Sequence, residues 1–193
     1  NMDAVLYAQS ACDEIKSLIA TVNQEDTGNL EKMINRAGRI FIAGAGRSLL
    51  SMKFFAMRLM HTNHQTYLVG EVCTPSIHEG DLLIIGSGSG STKGMMAIAQ
   101  KAKSMGANVA LITMNRSGSI AGLSDCIVEF KGSLPEGAET AEERPDDAYI
   151  HVRPSGNVFE PAMLILLDSI VCSLMVKGHM GMKIVRYNHA NLE

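Results

Sequence analysis

The sequence predicts an α/β protein, a three-layer doubly wound sandwich on a five-stranded parallel sheet, and three observations carry that expectation. Five short runs of apolar or β-branched residues recur along the chain. Segments with helical spacing stand between them, so strands and helices alternate as they do in a parallel sheet covered on both faces. At 193 residues and 46% hydrophobic, the chain is long and apolar enough to bury a substantial core.

Taken in order, residues 2–21 carry Val5, Leu6, Ile15, Leu18 and Ile19 among polar residues, which predicts an amphipathic helix. Asn1 ahead of Met2 is read as a residue left by expression and is set aside. A shorter helix is expected over 28–36. The strands are expected at 39–43, 66–69, 81–85, 108–113 and 125–130, with helices at 49–61 between the first two and at 92–105 between the third and fourth. Residues 131–147 turn acidic, lose their apolar side chains and contain Pro135 and Pro145, which predicts a surface loop. Residues 158–177 form a helix that is apolar almost all round, so more than its own sheet must cover it. A neighbouring subunit is the expected cover. Residues 2–193 are thus expected to form one domain, with 2–36 and 158–193 in subunit contacts.

Seventeen Lys and Arg against twenty Asp and Glu leave a formal net charge of −3, and no basic run could neutralise several backbone phosphates. Nucleic acid is therefore not an expected partner. The most apolar segment is interrupted by Glu160, Pro161, Asp168 and Ser169, whereas a bilayer helix needs about 20 nearly uncharged residues. It reads as a core or interface helix, and no membrane partner is expected. Cys12, Cys73, Cys126 and Cys172 stand singly, which fits neither a zinc site nor a disulfide framework and points to a reducing cytoplasm. Thirteen methionines read as adaptable core and interface packing.

Two polar loops carry the chemistry. Gly44-Ala45-Gly46-Arg47-Ser48 follows the first strand, and Gly86-Ser87-Gly88-Ser89-Gly90-Ser91-Thr92 follows the third, each opening a helix. In a flavodoxin-like order 2-1-3-4-5, strands one and three are neighbours whose connections leave in opposite directions, so both loops face one crevice. Close-approaching N–H groups, hydroxyls and the positive ends of two helices together suit a phosphate dianion. Gly44-x-Gly46 matches only half of a dinucleotide fingerprint, because Leu49 takes the place of its third glycine. Lys93 follows Thr92 where a P-loop needs the reverse order. A pair of flexible Gly- and Ser-rich turns without a ligand is the remaining alternative.

The loop at 87–92 resembles the Ser-x-Ser-Gly-x-Thr phosphosugar loop of the SIS (sugar isomerase) family. Phe55-Ala-Met-Arg-Leu-Met-His61, Val69-Gly-Glu71 with Thr74-Pro75, Gly80-Asp-Leu-Leu-Ile84, Phe159-Glu160 with Leu167-Asp168, and His189-Ala-Asn-Leu-Glu193 are similar to one subgroup of it, the 6-phospho-3-hexuloisomerases. That resemblance implies conversion between D-arabino-3-hexulose 6-phosphate and D-fructose 6-phosphate, a step of formaldehyde fixation in the ribulose monophosphate pathway. It also implies a homotetramer. Moving a ketone from C3 to C2 requires a base at C2, a cis-enediolate and an acid at C3, with no redox cofactor and no metal. None is expected.

Matching Phe159-Glu160 to the family's motif makes Glu160 the candidate base. Its alternative role is a capping box with Asn157, and if Pro161 is the first helical residue, the helix dipole favours a carboxylate at Glu160. His61 and His189 are candidate acids or hydrogen-bonding groups, since imidazole titrates near neutral pH. His61-x-x-His64 has metal-pair spacing without evident further ligands. Arg47 and Ser48, with Ser87, Gly88, Ser89, Gly90, Ser91 and Thr92, are the candidate phosphate-binding residues. Arg47 can neutralise either the phosphate or the enediolate, or form a surface ion pair. Two other readings stay open: a different phosphosugar isomerase of the family, such as one acting on an aldose phosphate, and a non-catalytic sensor that binds a phosphosugar without turning it over.

Overall fold

The computed structural model describes residues 4–132 and 158–192. The strands are β1 (Ile40–Gly44), β2 (Thr66–Leu68), β3 (Leu82–Gly86), β4 (Asn108–Thr113) and β5 (Cys126–Glu129). The helices are α1 (Ala4–Ile19), α2 (Gln24–Arg36), α3 (Gly46–His61), α4 (Lys93–Ser104), α5 (Phe159–Lys177) and α6 (Met182–Asn188). All strand pairs are parallel, and the order is β2-β1-β3-β4-β5, the expected topology. Most of the expected loop at 131–147 lies outside the described residues.

Alternate residues of each strand point to opposite faces, so the nearly continuous apolar runs feed two cores. Ile40, Ile42, Leu82, Ile84, Ala110 and Ile112 face the side covered by α2, α3 and α5. Phe41, Ala43, Leu83, Ile85, Val109 and Leu111 face α4, which presents Met95, Ala99 and Ala102. A fully buried Ile, Leu or Phe stabilises by about 1.5–3 kcal/mol, so these two layers hold the sheet. At the amino edge, Arg39 grips the Asp81 carboxylate with Nε at 3.1 Å and Nη2 at 2.6 Å, tying the starts of β1 and β3 together.

Three boundaries differ from expectation. α2 begins at Gln24 rather than at residue 28, because Asn23 caps it by accepting from the Glu25 N–H at 2.9 Å and Glu25 and Asp26 suit the positive helix end. α3 begins at Gly46 rather than at residue 49, which puts Arg47 and Ser48 in its first turn instead of in a loop. α5 begins at Phe159 with Val158 at its cap, so Pro161 is its third residue rather than its first and removes no helical hydrogen bond there. Asn157, the other half of the expected capping box, lies outside the described residues. α6, which local periodicity did not predict, forms the tail.

α5 has the length and apolar composition of a membrane span. It buries Phe159, Met163, Leu167, Ile170, Val171 and Leu174 in the first core and leaves Ile165 and Val176 exposed. By contrast, no residue of α1 is buried.

Candidate active site

The last register pair of β1 and β3 is Gly44 with Gly86, so both polar loops leave the sheet at the same level. From there the chain enters α3 on one face and α4 on the other, which opens a crevice at the carboxyl edge.

In the β3 loop the hydroxyls are organised among themselves. Ser87 is buried, and its Oγ shares a hydrogen bond with Thr92 Oγ1 at 3.0 Å. Thr92 therefore occupies the cap of α4 without using its side chain to cap it. Ser89 Oγ accepts from the Ser91 N–H at 3.2 Å, and Ser91 Oγ accepts from the Ser119 N–H at 3.2 Å. The N–H groups of Gly88, Ser89, Thr92, Lys93 and Gly94 find no acceptor among the described residues. These are the donors a phosphate would use.

Glu160 reaches this loop because the first turn of α5 is wedged between α3 and the loop. Ser51 Oγ donates to the Glu160 carbonyl at 3.0 Å. The Phe159 ring lies so close to Gly88 that a Cβ there would sit 3.2 Å from it, and Phe130 meets Phe159 edge-on at 5.7 Å. The Glu160 side chain is 15% exposed, and its Oε2 is buried with no hydrogen-bond partner among the described residues. Arg47 Nε, on a side chain 60% exposed, stands 3.8 Å from that oxygen, beyond hydrogen-bonding distance. An unsatisfied buried acceptor costs about 1–3 kcal/mol, and more when it is charged.

The histidines lie elsewhere in the same chain. His61 is buried at the far end of α3, its ring stacked on that of His189 at 5.1 Å and 18°. Asn188 Nδ2 holds the tail there by donating to the His61 carbonyl at 3.1 Å and to Asn63 Oδ1 at 2.6 Å. Burial pushes the His61 pKa down, and His189 and Arg58 push it the same way. Arg47 and His61 stand about 20 Å apart at opposite ends of α3, and Glu160, packed beside Ser51, lies on the Arg47 side of the helix midpoint. One chain therefore brings Glu160, Arg47, Ser48 and the residues 87–92 together but leaves His61 and His189 apart from them. His64 turns its Nδ1 to Thr62 Oγ1 at 3.0 Å, and among the described residues no three His, Cys, Asp or Glu side chains converge as a metal site would require.

Sequence reasoning missed Ser51 and the segment after β4, where Thr113, Asn115 and Ser119 bond to the β3 loop. The signal was present: order 2-1-3-4-5 sets the end of β4 beside the end of β3.

An all-parallel sheet of order 2-1-3-4-5, with a Ser-rich loop at its switch point and a carboxylate beside it, makes this an α/β sandwich with a ligand crevice at its carboxyl edge. Residues 33–138 match the SIS domain model, and the chain belongs to that family. Over 192 residues, all of both chains, it is 38% identical to 3-hexulose-6-phosphate isomerase of Bacillus subtilis (strain 168). It is 34% identical to the enzyme of the same name from Mycobacterium gastri over 181 residues, 94% of this chain and 87% of that one. A Methanococcus jannaschii structure, described as inferring a function of 3-hexulose-6-phosphate isomerase, superposes with a TM-score of 0.78 at 30% identity, covering 94% of this chain and 98% of that one. The chain belongs with these isomerases.

Proposed function

We propose that the chain interconverts D-arabino-3-hexulose 6-phosphate and D-fructose 6-phosphate through a cis-enediolate, serving formaldehyde fixation in the ribulose monophosphate pathway. The observation that carries this reading is the buried Oε2 of Glu160, which stands 3.8 Å from Arg47 Nε beside the β3 loop and has no hydrogen-bond partner among the described residues. The hydroxyls of Ser87, Ser89, Ser91 and Thr92 and the open N–H groups take the phosphate, and Ser48 lines the opposite turn. Glu160 then takes the proton from C2 of the hexulose. The released electron pair forms the C2–C3 double bond, and the former C3 carbonyl oxygen carries the negative charge, which Arg47 stabilises. Glu160 returns the proton to C3 as the O2 proton leaves and the C2 carbonyl forms. A second acid–base group relays that proton from O2 to O3, and His61 or His189 supplies it. Substrate and product are isomers, so no electron enters or leaves.

The relay is supplied by a second copy of the chain in a homotetramer. Leu50, Phe54 and Met57 form an apolar stripe along α3 and are 68%, 45% and 60% exposed. Phe54 lies midway between Arg47 and His61. Two α3 helices packed antiparallel about a twofold axis near Phe54 bring the histidine pair of one copy to the Arg47 and Glu160 of the other. The unburied α1, with Val5 and Tyr7 exposed, and Ile165 on α5 offer the further surface that a tetramer needs.

The test is an NMR assay with D-fructose 6-phosphate in deuterated water, without added metal or nucleotide. The expected result is 3-hexulose 6-phosphate together with deuterium in the sugar. Binding with neither product nor exchange would instead support the sensor.

A further inference from the structure

A phosphate held by backbone N–H groups is repelled by backbone carbonyls, so a loop that cradles it must turn its carbonyls away. In the β3 loop all four carbonyls from Ser87 to Gly90 are occupied. That of Ser87 accepts from the Gly90 N–H at 3.1 Å within the loop, and the other three are taken by the segment that follows β4. The Gly88 carbonyl accepts from the Met114 N–H at 3.0 Å and from Thr113 Oγ1 at 3.1 Å. The Ser89 carbonyl accepts from Asn115 Nδ2 at 3.2 Å, and the Gly90 carbonyl from the Ile120 N–H at 2.9 Å.

The side chains that make these bonds are themselves fixed. Thr113 is fully buried, and its Oγ1 also accepts from the Asn115 N–H at 3.0 Å. Asn115 Oδ1 accepts from the Ser117 N–H at 3.0 Å, which leaves the amide nitrogen aimed at Ser89. Where the two segments cross, a Cβ on Gly118 would come within 2.6 Å of the Gly90 carbonyl group, so only glycine fits. Gly90 in turn has φ +64°, which favours glycine for a different reason.

We propose that Thr113, Asn115 and Gly118 are positioning residues for the substrate's phosphate, holding the carbonyls of the β3 loop away from it so that its N–H groups are left to bind. The proposal rests on the phosphosugar reading of the crevice. It requires a donor at residue 115: an aspartate of the same shape would set an acceptor against the Ser89 carbonyl and add a negative charge behind the phosphate.

The experiment compares wild type with Asn115→Asp, Thr113→Val and Thr113→Ser, using steady-state kinetics and calorimetric titration with D-fructose 6-phosphate. For Asn115→Asp and Thr113→Val, KM and Kd are expected to rise about tenfold, the size of one lost hydrogen bond to a loop carbonyl. In both, kcat is expected to stay within about twofold of wild type, since the proton transfer is untouched. Thr113→Ser, which keeps the hydroxyl, is expected to bind as wild type does. Unchanged Kd in Asn115→Asp and Thr113→Val would overturn the proposal, as would a loss in Thr113→Ser equal to that in Thr113→Val. If wild type binds the sugar phosphate without turning it over, the isomerase reading fails while the Kd series still decides the positioning role. If wild type binds neither D-fructose 6-phosphate nor inorganic phosphate, both fall.

Discussion

In the proposed mechanism the chemistry rests on Glu160, whose buried Oε2 has no hydrogen-bond partner among the described residues and whose backbone carbonyl accepts from Ser51 Oγ at 3.0 Å. Glu160→Gln keeps the shape and removes the base. We expect it to retain D-fructose 6-phosphate binding while kcat falls by about 10²–10⁴-fold, checked by calorimetry beside turnover. A fully active Glu160→Gln enzyme would remove the base assignment. Ser87→Ala is expected to do the opposite, raising KM by about tenfold with little change in kcat, because its hydroxyl belongs to the binding loop. Glu160 was legible in the sequence only through its neighbour Phe159 and the family motif. Its isolation from hydrogen-bond partners comes from three elements meeting, which no local pattern encodes.

Among the elements, groups at the amino edge of the sheet respond to acid in two different windows. His61, at the end of α3, has its pKa lowered chiefly by burial, and so does His64. A histidine whose folded pKa lies below 6.5 contributes stability that is present above that value and lost as pH falls below it. Asp81 is lowered too, but against its burial: burial raises its pKa, and the Arg39 hydrogen bonds and the His78 N–H outweigh that. Its contribution is therefore present above 3.8 and disappears only at lower pH. We expect the melting temperature to fall in two steps on acidification. His61→Gln should shrink the first step, of which His64 keeps its share, and leave the second, and a single step unaffected by His61→Gln would refute this. The helix boundaries teach a related lesson. Gly28 reads as a helix start, but the Asn23 cap lets α2 run through it. The seven residues of α6 are too few to display a period.

For the whole molecule, the proposed tetramer divides the site between copies, because Arg47 and His61 stand at opposite ends of α3. Glu160→Gln and His61→Ala are each expected to be inactive alone. Mixed, dissociated and reassembled, they should regain measurable activity, because some interfaces then pair an intact Glu160 with an intact His61. Failure of the mixture, with both variants shown to co-assemble, would place the whole site in one chain. Phe54→Asp is expected to reduce the oligomer, by light scattering, and to lower activity with it. An active tetramer of Phe54→Asp would move the interface off α3.

The strands, the helices between them and the two polar loops were legible in the sequence because their periods and turn residues are local, and the expected order 2-1-3-4-5 then sets both loops at one switch point. The position of each strand was legible to within one or two residues for the same reason. Folding in three dimensions was needed to pair His61 with His189 at the end of α3 remote from Arg47, and to bring the end of β4 and the segment after it against the carbonyls of the β3 loop. Both depend on contacts between residues far apart in the chain, where helix length and backbone fit, rather than residue type, set which groups meet.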